Sequence, residues 1–120
     1  MSQCVLIVDD DPTSVRLAQG FLESNGYQVL SASDGEGGLE VLRNSKADLI
    51  ILDIQMPKMN GYAFILEIKK LGPEHRNIPI LVVTAKDGMT ELFKIEGAKE
   101  YIVKPVDPAL LLTAVRKYLS

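Results

Sequence analysis

The chain has 120 residues, 47% of them hydrophobic and 24% charged, which is the composition of one globular domain rather than of a disordered or fibrous segment. A formal net charge of -3 without a basic patch excludes an electrostatic footprint for nucleic acid, and no apolar run approaches the roughly 20 residues that a bilayer crossing requires. The single cysteine excludes an internal disulfide, and the N-terminus lacks a charged stretch leading into a signal-peptide core, so a cytoplasmic protein is expected.

Short apolar runs alternate with amphipathic stretches along the chain, the pattern of βαβ units wound into a parallel sheet. A first strand is expected over Cys4 to Val8, with Cys4 a buried strand residue rather than a reactive thiol. Pro12 then opens a helix whose inward stripe is Leu17, Ala18, Phe21 and Leu22 and which stops at Asn25-Gly26. The run Gln28 to Ala32 alternates apolar and polar residues and reads as an edge strand. Asp34 can cap a second helix running to about Asn44, in which Gly37 and Gly38 each cost about 1 kcal/mol relative to Ala, so a mobile helix is expected. A third strand follows at Leu49 to Leu52. Asn60 can cap a third helix in which Phe64, Ile65, Ile68 and Leu71 share a face, ended by Gly72-Pro73. The fourth strand is Ile80 to Val83, the fourth helix a short one from about Met89 to Glu96, and the fifth strand Tyr101 to Val103. The last helix begins near Asp107-Pro108 and buries Leu111, Leu112, Val115 and Leu119. The runs CVLIV, LIIL and ILVV are apolar at every position, as strands covered on both faces must be.

In open parallel sheets, ligands sit beyond the carboxyl ends of the strands, near the point where the winding reverses. The residues at those ends are polar here: Asp9, Asp10 and Asp11 after the first strand, Asp53 after the third, Thr84 after the fourth, and Lys104-Pro105 after the fifth. Carboxylates gathered on one rim repel one another unless a cation sits among them, and an all-oxygen set suits Mg²⁺. Phosphoryl transfer requires a nucleophile, a metal, a cationic side chain and a hydroxyl, which Asp53, Mg²⁺, Lys104 and Thr84 would supply. Carboxylate attack on phosphorus would leave an aspartyl phosphate. Taken singly, an Asp after a strand is more often a helix cap, a Thr ordinary strand chemistry and Lys-Pro an ordinary loop. Their arrival together at the strand ends is what favours chemistry.

The segments VLIVDDDP at 5–12, DLIILDIQMPKMNGY at 48–62, PILVVTA at 79–85 and GAKEYIVKP at 97–105 resemble the motifs of the response-regulator receiver domain of two-component signalling. The resemblance covers the whole chain, residues 1–120, as a single domain. It implies a flavodoxin-like α/β fold: a doubly wound five-stranded parallel sheet in the order 2-1-3-4-5, with five helices, two on one face and three on the other. Carried over residue by residue, Asp53 is the phosphoacceptor, while Asp10, Asp53 and the backbone carbonyl of Gln55 are direct Mg²⁺ ligands and Asp9 acts through a coordinated water. Thr84 matches the switch hydroxyl and Lys104 the lysine that contacts the phosphoryl group, preceding a cis bond to Pro105. Tyr101 matches the aromatic switch position, whose ring turns inward when Thr84 moves. Gln55 and Lys86 flank the place of the hydrolytic water and are expected to tune self-dephosphorylation. The implied donor is a phosphohistidine on a histidine kinase or phosphotransfer protein, docking near the first helix and the rim. The output partner stays open, and the resemblance implies a switch that acts chemically only on itself rather than an enzyme. Eleven residues, Lys86 to Glu96, lie between Thr84-Ala85 and Gly97-Ala98, fewer than the family usually has, so the fourth helix, on the usual output face, is expected to be shortened. A stand-alone regulator is the expected form.

Three other readings fit the same residues less well. A haloacid-dehalogenase-like phosphatase would need a second aspartate two residues after the nucleophile, where Gln55 stands. A flavin carrier would need a phosphate-cradling loop after the first strand, where the aspartates would repel the cofactor. A degenerate receiver that is never phosphorylated would leave the full set of chemical residues unexplained.

Overall fold

The computed structural model describes residues 2–54, 61–84 and 98–119. Its strands are β1 (Cys4–Val8), β2 (Gln28–Ala32), β3 (Leu49–Asp53), β4 (Ile80–Thr84) and β5 (Glu100–Val103). They form one parallel sheet in the order β2-β1-β3-β4-β5. Among the described residues the helices are α1 (Pro12–Ser24), α2 (Gly35–Asn44), α3 (Gly61–Lys70), the single turn α4 (Pro73–Arg76) and α5 (Pro108–Leu119). The expected sheet order and βα alternation are therefore present.

β1, β3 and β4 are buried along their whole length, because helices cover them on both sides. Alternate residues feed two cores. Leu6, Val8, Ile50, Leu52 and Val82 pack with Leu42 of α2 and with Phe64, Ile65 and Ile68 of α3. Val5, Ile7, Ile51 and Val83 pack with Leu22 of α1 and with Leu111 and Val115 of α5. Each fully buried aliphatic side chain contributes about 1.5–3 kcal/mol, so the period-two alternation of the strands fixes which helices lie on which face. β2 is the edge that its alternating sequence implies, with Val29 as its buried residue.

Local sequence sets the helix ends. α1 stops in a Schellman turn: the Gly26 N–H donates to the Glu23 carbonyl and the Tyr27 N–H to the Leu22 carbonyl, both at 3.1 Å. Gly26 has φ 94°, which explains the glycine. Gly38 has a different reason. A Cβ there would lie 3.1 Å from both Phe64 Cζ and Val8 Cγ2, so the bare backbone lets α2 close against β1 and α3. The propensity cost read from the sequence is thus tied to close packing.

Two expectations need correction. Leu17 belongs not to the inward stripe of α1 but is 71% exposed; Val15, Ala18 and Leu22 form that stripe. Both sets have helical spacing, and the rotation of α1 is decided by how it seats on the sheet beside α5. Gly72-Pro73 ends α3 as expected but also starts α4, since Pro73 takes the first helical position. The fourth helix expected over Met89 to Glu96, the cap at Asn60, and Gln55 and Lys86 lie outside the described residues.

Candidate functional site

The parallel ladder delivers the polar residues to one rim. Asp53 ends β3 in register with Val83, and Thr84 ends β4 in register with Val103. Just past β1, the Asp9 N–H donates to the Ala32 carbonyl at 3.0 Å, and just past β5 the Lys104 N–H donates to the Thr84 carbonyl at 2.8 Å. Backbone bonds thus set the height of each side chain before any side-chain contact forms. The Lys104–Pro105 peptide is cis, as the resemblance implied.

Asp9, Asp53 and Thr84 are all buried, which is unusual for the two carboxylates. Lys104 Nζ donates to Asp53 Oδ2 at 2.8 Å. One oxygen from each of Asp9, Asp10 and Asp53 lies within 4.8 Å of the others, with Asp10 on the exposed side. Burial pushes the Asp9 carboxyl above its ordinary value, the Asp11 N–H draws it down, and the nearby Asp53 charge pushes it up again. Burial alone would lower the Lys104 ammonium, but the Asp53 hydrogen bond and the charges of Asp53, Asp9 and Asp11 outweigh it and hold it above its usual value. Among the described residues, the Lys104 cation therefore faces a group of acids in a partly dry setting, and the three carboxylates form an all-oxygen set of the kind a hard divalent cation takes.

Thr84 and Tyr101 project from the same face of the sheet, since Tyr101 is in register with Val82 and Thr84 lies two residues beyond it. Tyr101 is 44% exposed, while Thr84 is fully enclosed. At the other end of the chemistry, Cys4 is buried as expected, and burial followed by the Asp48 charge pushes its thiol up, away from reactivity.

Sequence reasoning missed two features. A groove of about 750 Å³ runs between Leu17 and Phe21 of α1 and Pro108 and Leu111 of α5, and it shares Asp9 and Lys104 with the rim. The exposed Leu17 is its lip. The other is a tie between Asp11 and Asp9: the run Asp11-Pro12-Thr13-Ser14 signals a helix cap, but not the bond from the Asp11 backbone N–H to Asp9.

Residues 5–116 match the family profile of the response regulator receiver domain. The protein PilH of Pseudomonas aeruginosa is 38% identical over 118 residues, a span covering 97% of each protein. The alkaline phosphatase synthesis regulator PhoP of Bacillus subtilis is 39% identical across 99% of this chain, which spans 49% of that protein's length. Among solved structures, the chemotaxis response regulator CheY4 of Vibrio cholerae superimposes with a TM-score of 0.88 at 30% identity, over 99% of this chain and 100% of that one. The receiver domain of the sensor histidine kinase PA1611 of Pseudomonas aeruginosa, described with a magnesium ion coordinated in its active-site cleft, gives 0.86 at 26% identity over 98% of each chain.

Proposed function

The chain belongs to the response regulator receiver domain family of two-component signalling, and we propose that it works as a phosphoacceptor switch in which Asp53 takes a phosphoryl group from a phosphohistidine. The observation that carries this reading is the 2.8 Å bond from Lys104 Nζ to Asp53 Oδ2 beside the Asp9, Asp10 and Asp53 cluster.

Asp10, Asp53 and the Gln55 carbonyl would hold Mg²⁺ directly, with Asp9 acting through a bound water; the oxygen-only set of Asp9, Asp10 and Asp53 supports a divalent cation at this rim. When bound, Mg²⁺ supplies charge neutralisation for the incoming phosphoryl oxygens. The chain's own groups do the rest. An Asp53 carboxylate oxygen forms the new bond to phosphorus, the P–N bond to the donor imidazole breaks, and its electron pair returns to the ring nitrogen, which takes up a proton. Lys104 turns its ammonium from Asp53 toward the phosphoryl oxygens, and Thr84 donates its hydroxyl to another of them. On this reading the domain catalyses only its own phosphorylation and dephosphorylation, with Gln55 and Lys86 expected to tune the latter.

The same contacts make the switch. Drawing Thr84 toward the phosphoryl group changes the space beside Tyr101 on the shared face of the sheet, so the ring's inward position becomes favoured and the surface around β5 is altered for an output partner. The donor, a histidine kinase or a phosphotransfer protein, seats an apolar helix face in the groove beside Leu17, which opens on the rim. A cytoplasmic setting belongs to this reading.

Transfer from a phosphohistidine donor tests it. A phosphorylated phosphotransfer domain incubated with this protein and Mg²⁺ should pass its label to wild type and not to Asp53→Asn; equal labelling of both would rule the reading out.

A further inference from the structure

The third aspartate of the rim, Asp11, has no assigned role in the phosphoryl transfer above, yet its backbone and side chain make four directed hydrogen bonds. Its backbone N–H donates to Asp9 Oδ1 at 2.9 Å. Its own Oδ1 accepts from the Thr13 N–H at 3.0 Å, its Oδ2 accepts from the Ser14 hydroxyl at 2.9 Å, and its carbonyl accepts from the Val15 N–H at 3.1 Å. One residue therefore caps α1 and grips Asp9.

We propose that Asp11 is a positioning residue: by locking its side chain to the first turn of α1 it aims its N–H at Asp9 and so fixes the Asp9 carboxylate for the metal rim. This rests on reading that rim as a Mg²⁺ site.

The local physics makes the two functions inseparable. Asp9 follows the last residue of β1, and nothing in the ladder orients its side chain, because the ladder bonds only its backbone N–H. The buried Asp9 side chain also faces Asp53 and the Lys104 charge, and without the Asp11 N–H it would be free to turn between them, presenting a different oxygen to the rim. Pro12 excludes helical backbone at Asp11 but leaves a broad extended region open. Within that region the anchors on Thr13 and Ser14 select φ -93°, ψ 108°, the conformation in which the N–H meets Asp9 Oδ1. Groups that orient a metal ligand in this way commonly carry a tenfold or greater share of metal affinity. A simple helix cap would carry stability alone.

The experiment is a Mg²⁺ titration of the full chain followed by amide NMR, with thermal unfolding of each variant alongside. Asp11→Ala removes both anchors and should raise the Mg²⁺ Kd about tenfold, with the Asp11 amide resonance moving away from its carboxylate-bonded position. Asp11→Asn keeps the oxygen that accepts from Thr13, and its amide can donate to the Ser14 hydroxyl oxygen in place of accepting from it, so without the charge it should stay close to wild type. A lower Tm with an unchanged Kd in Asp11→Ala would reduce Asp11 to a helix cap and overturn the proposal. Equal weakening in Asp11→Asn and Asp11→Ala would overturn it too, since charge rather than position would then be responsible. If Asp11→Ala does not fold, Ser14→Ala decides: it removes one anchor with the charge in place, so a smaller rise in Kd supports the proposal and no rise contradicts it. Absence of any Mg²⁺-dependent shift in wild type would instead reject the metal site itself, and this inference with it.

Discussion

Lys104 is tied to the rim twice: its Nζ donates to Asp53 Oδ2 and its backbone N–H donates to the carbonyl of Thr84, each at 2.8 Å. The cation paired with Asp53 is thus anchored on Thr84, the residue proposed to sense the phosphoryl group. Lys104→Ala removes the cation and leaves Asp53 buried next to Asp9. The metal-free protein should lose about 2 kcal/mol, less than for a fully buried pair because Lys104 reaches solvent. Urea unfolding measures this, and the loss should shrink when Mg²⁺ is added.

Leu17 offers a test that separates docking from chemistry. Its side chain lines the α1/α5 groove but is 71% exposed, so Leu17→Asp should change the Tm little. Phosphorylation by a small donor should proceed at the wild-type rate, whereas transfer from a protein donor should fall at least tenfold. Equal rates with the protein donor would remove the groove from the docking surface.

Two glycines predict opposite outcomes. A Cβ at Gly20 meets nothing within 4 Å, so Gly20→Ala should stabilise the protein by about 0.5–1 kcal/mol through helix propensity. At Gly38 the same change places a methyl 3.1 Å from Phe64 Cζ and Val8 Cγ2, and overpacking of about 1–3 kcal/mol outweighs that gain. Urea midpoints of the two variants compare them directly.

Alkaline pH should expose the buried thiol. Burial, with Asp48 behind it, raises the Cys4 thiol above 9.0 in the folded chain, so on passing pH 9.0 the unfolded chain ionises first and binds fewer protons. Stability from this source is complete below pH 9.0 and declines as pH rises toward the folded value. The difference in unfolding free energy between wild type and Cys4→Ala, followed from pH 7 to 10.5, should therefore narrow only above pH 9.

How much of this was legible beforehand follows from which forces write themselves into side-chain order. Burial on both faces demands unbroken apolar runs, so β1, β3 and β4 could be read directly, and Asp53, Thr84 and Lys104 stood out as polar residues ending or following apolar strands. The tilt of α1 was not legible, because Leu17 and Val15 both fit a helical stripe and only packing against the sheet and α5 chooses between them. The Asp11 to Asp9 bond was hidden for another reason: its donor is a backbone N–H, which residue type does not encode. Gly38 looked like a weakness in α2 because the contact that requires it comes from Phe64, far away in sequence.

The central claim is that Asp53 is the phosphoacceptor, and intact mass spectrometry with peptide mapping after incubation with acetyl phosphate and Mg²⁺ tests it most directly. The account predicts a gain of one phosphoryl group in wild type, mapped to the peptide containing Asp53, and none in Asp53→Asn. A wild-type mass that does not change, or an Asp53→Asn variant phosphorylated to the same extent, would contradict it.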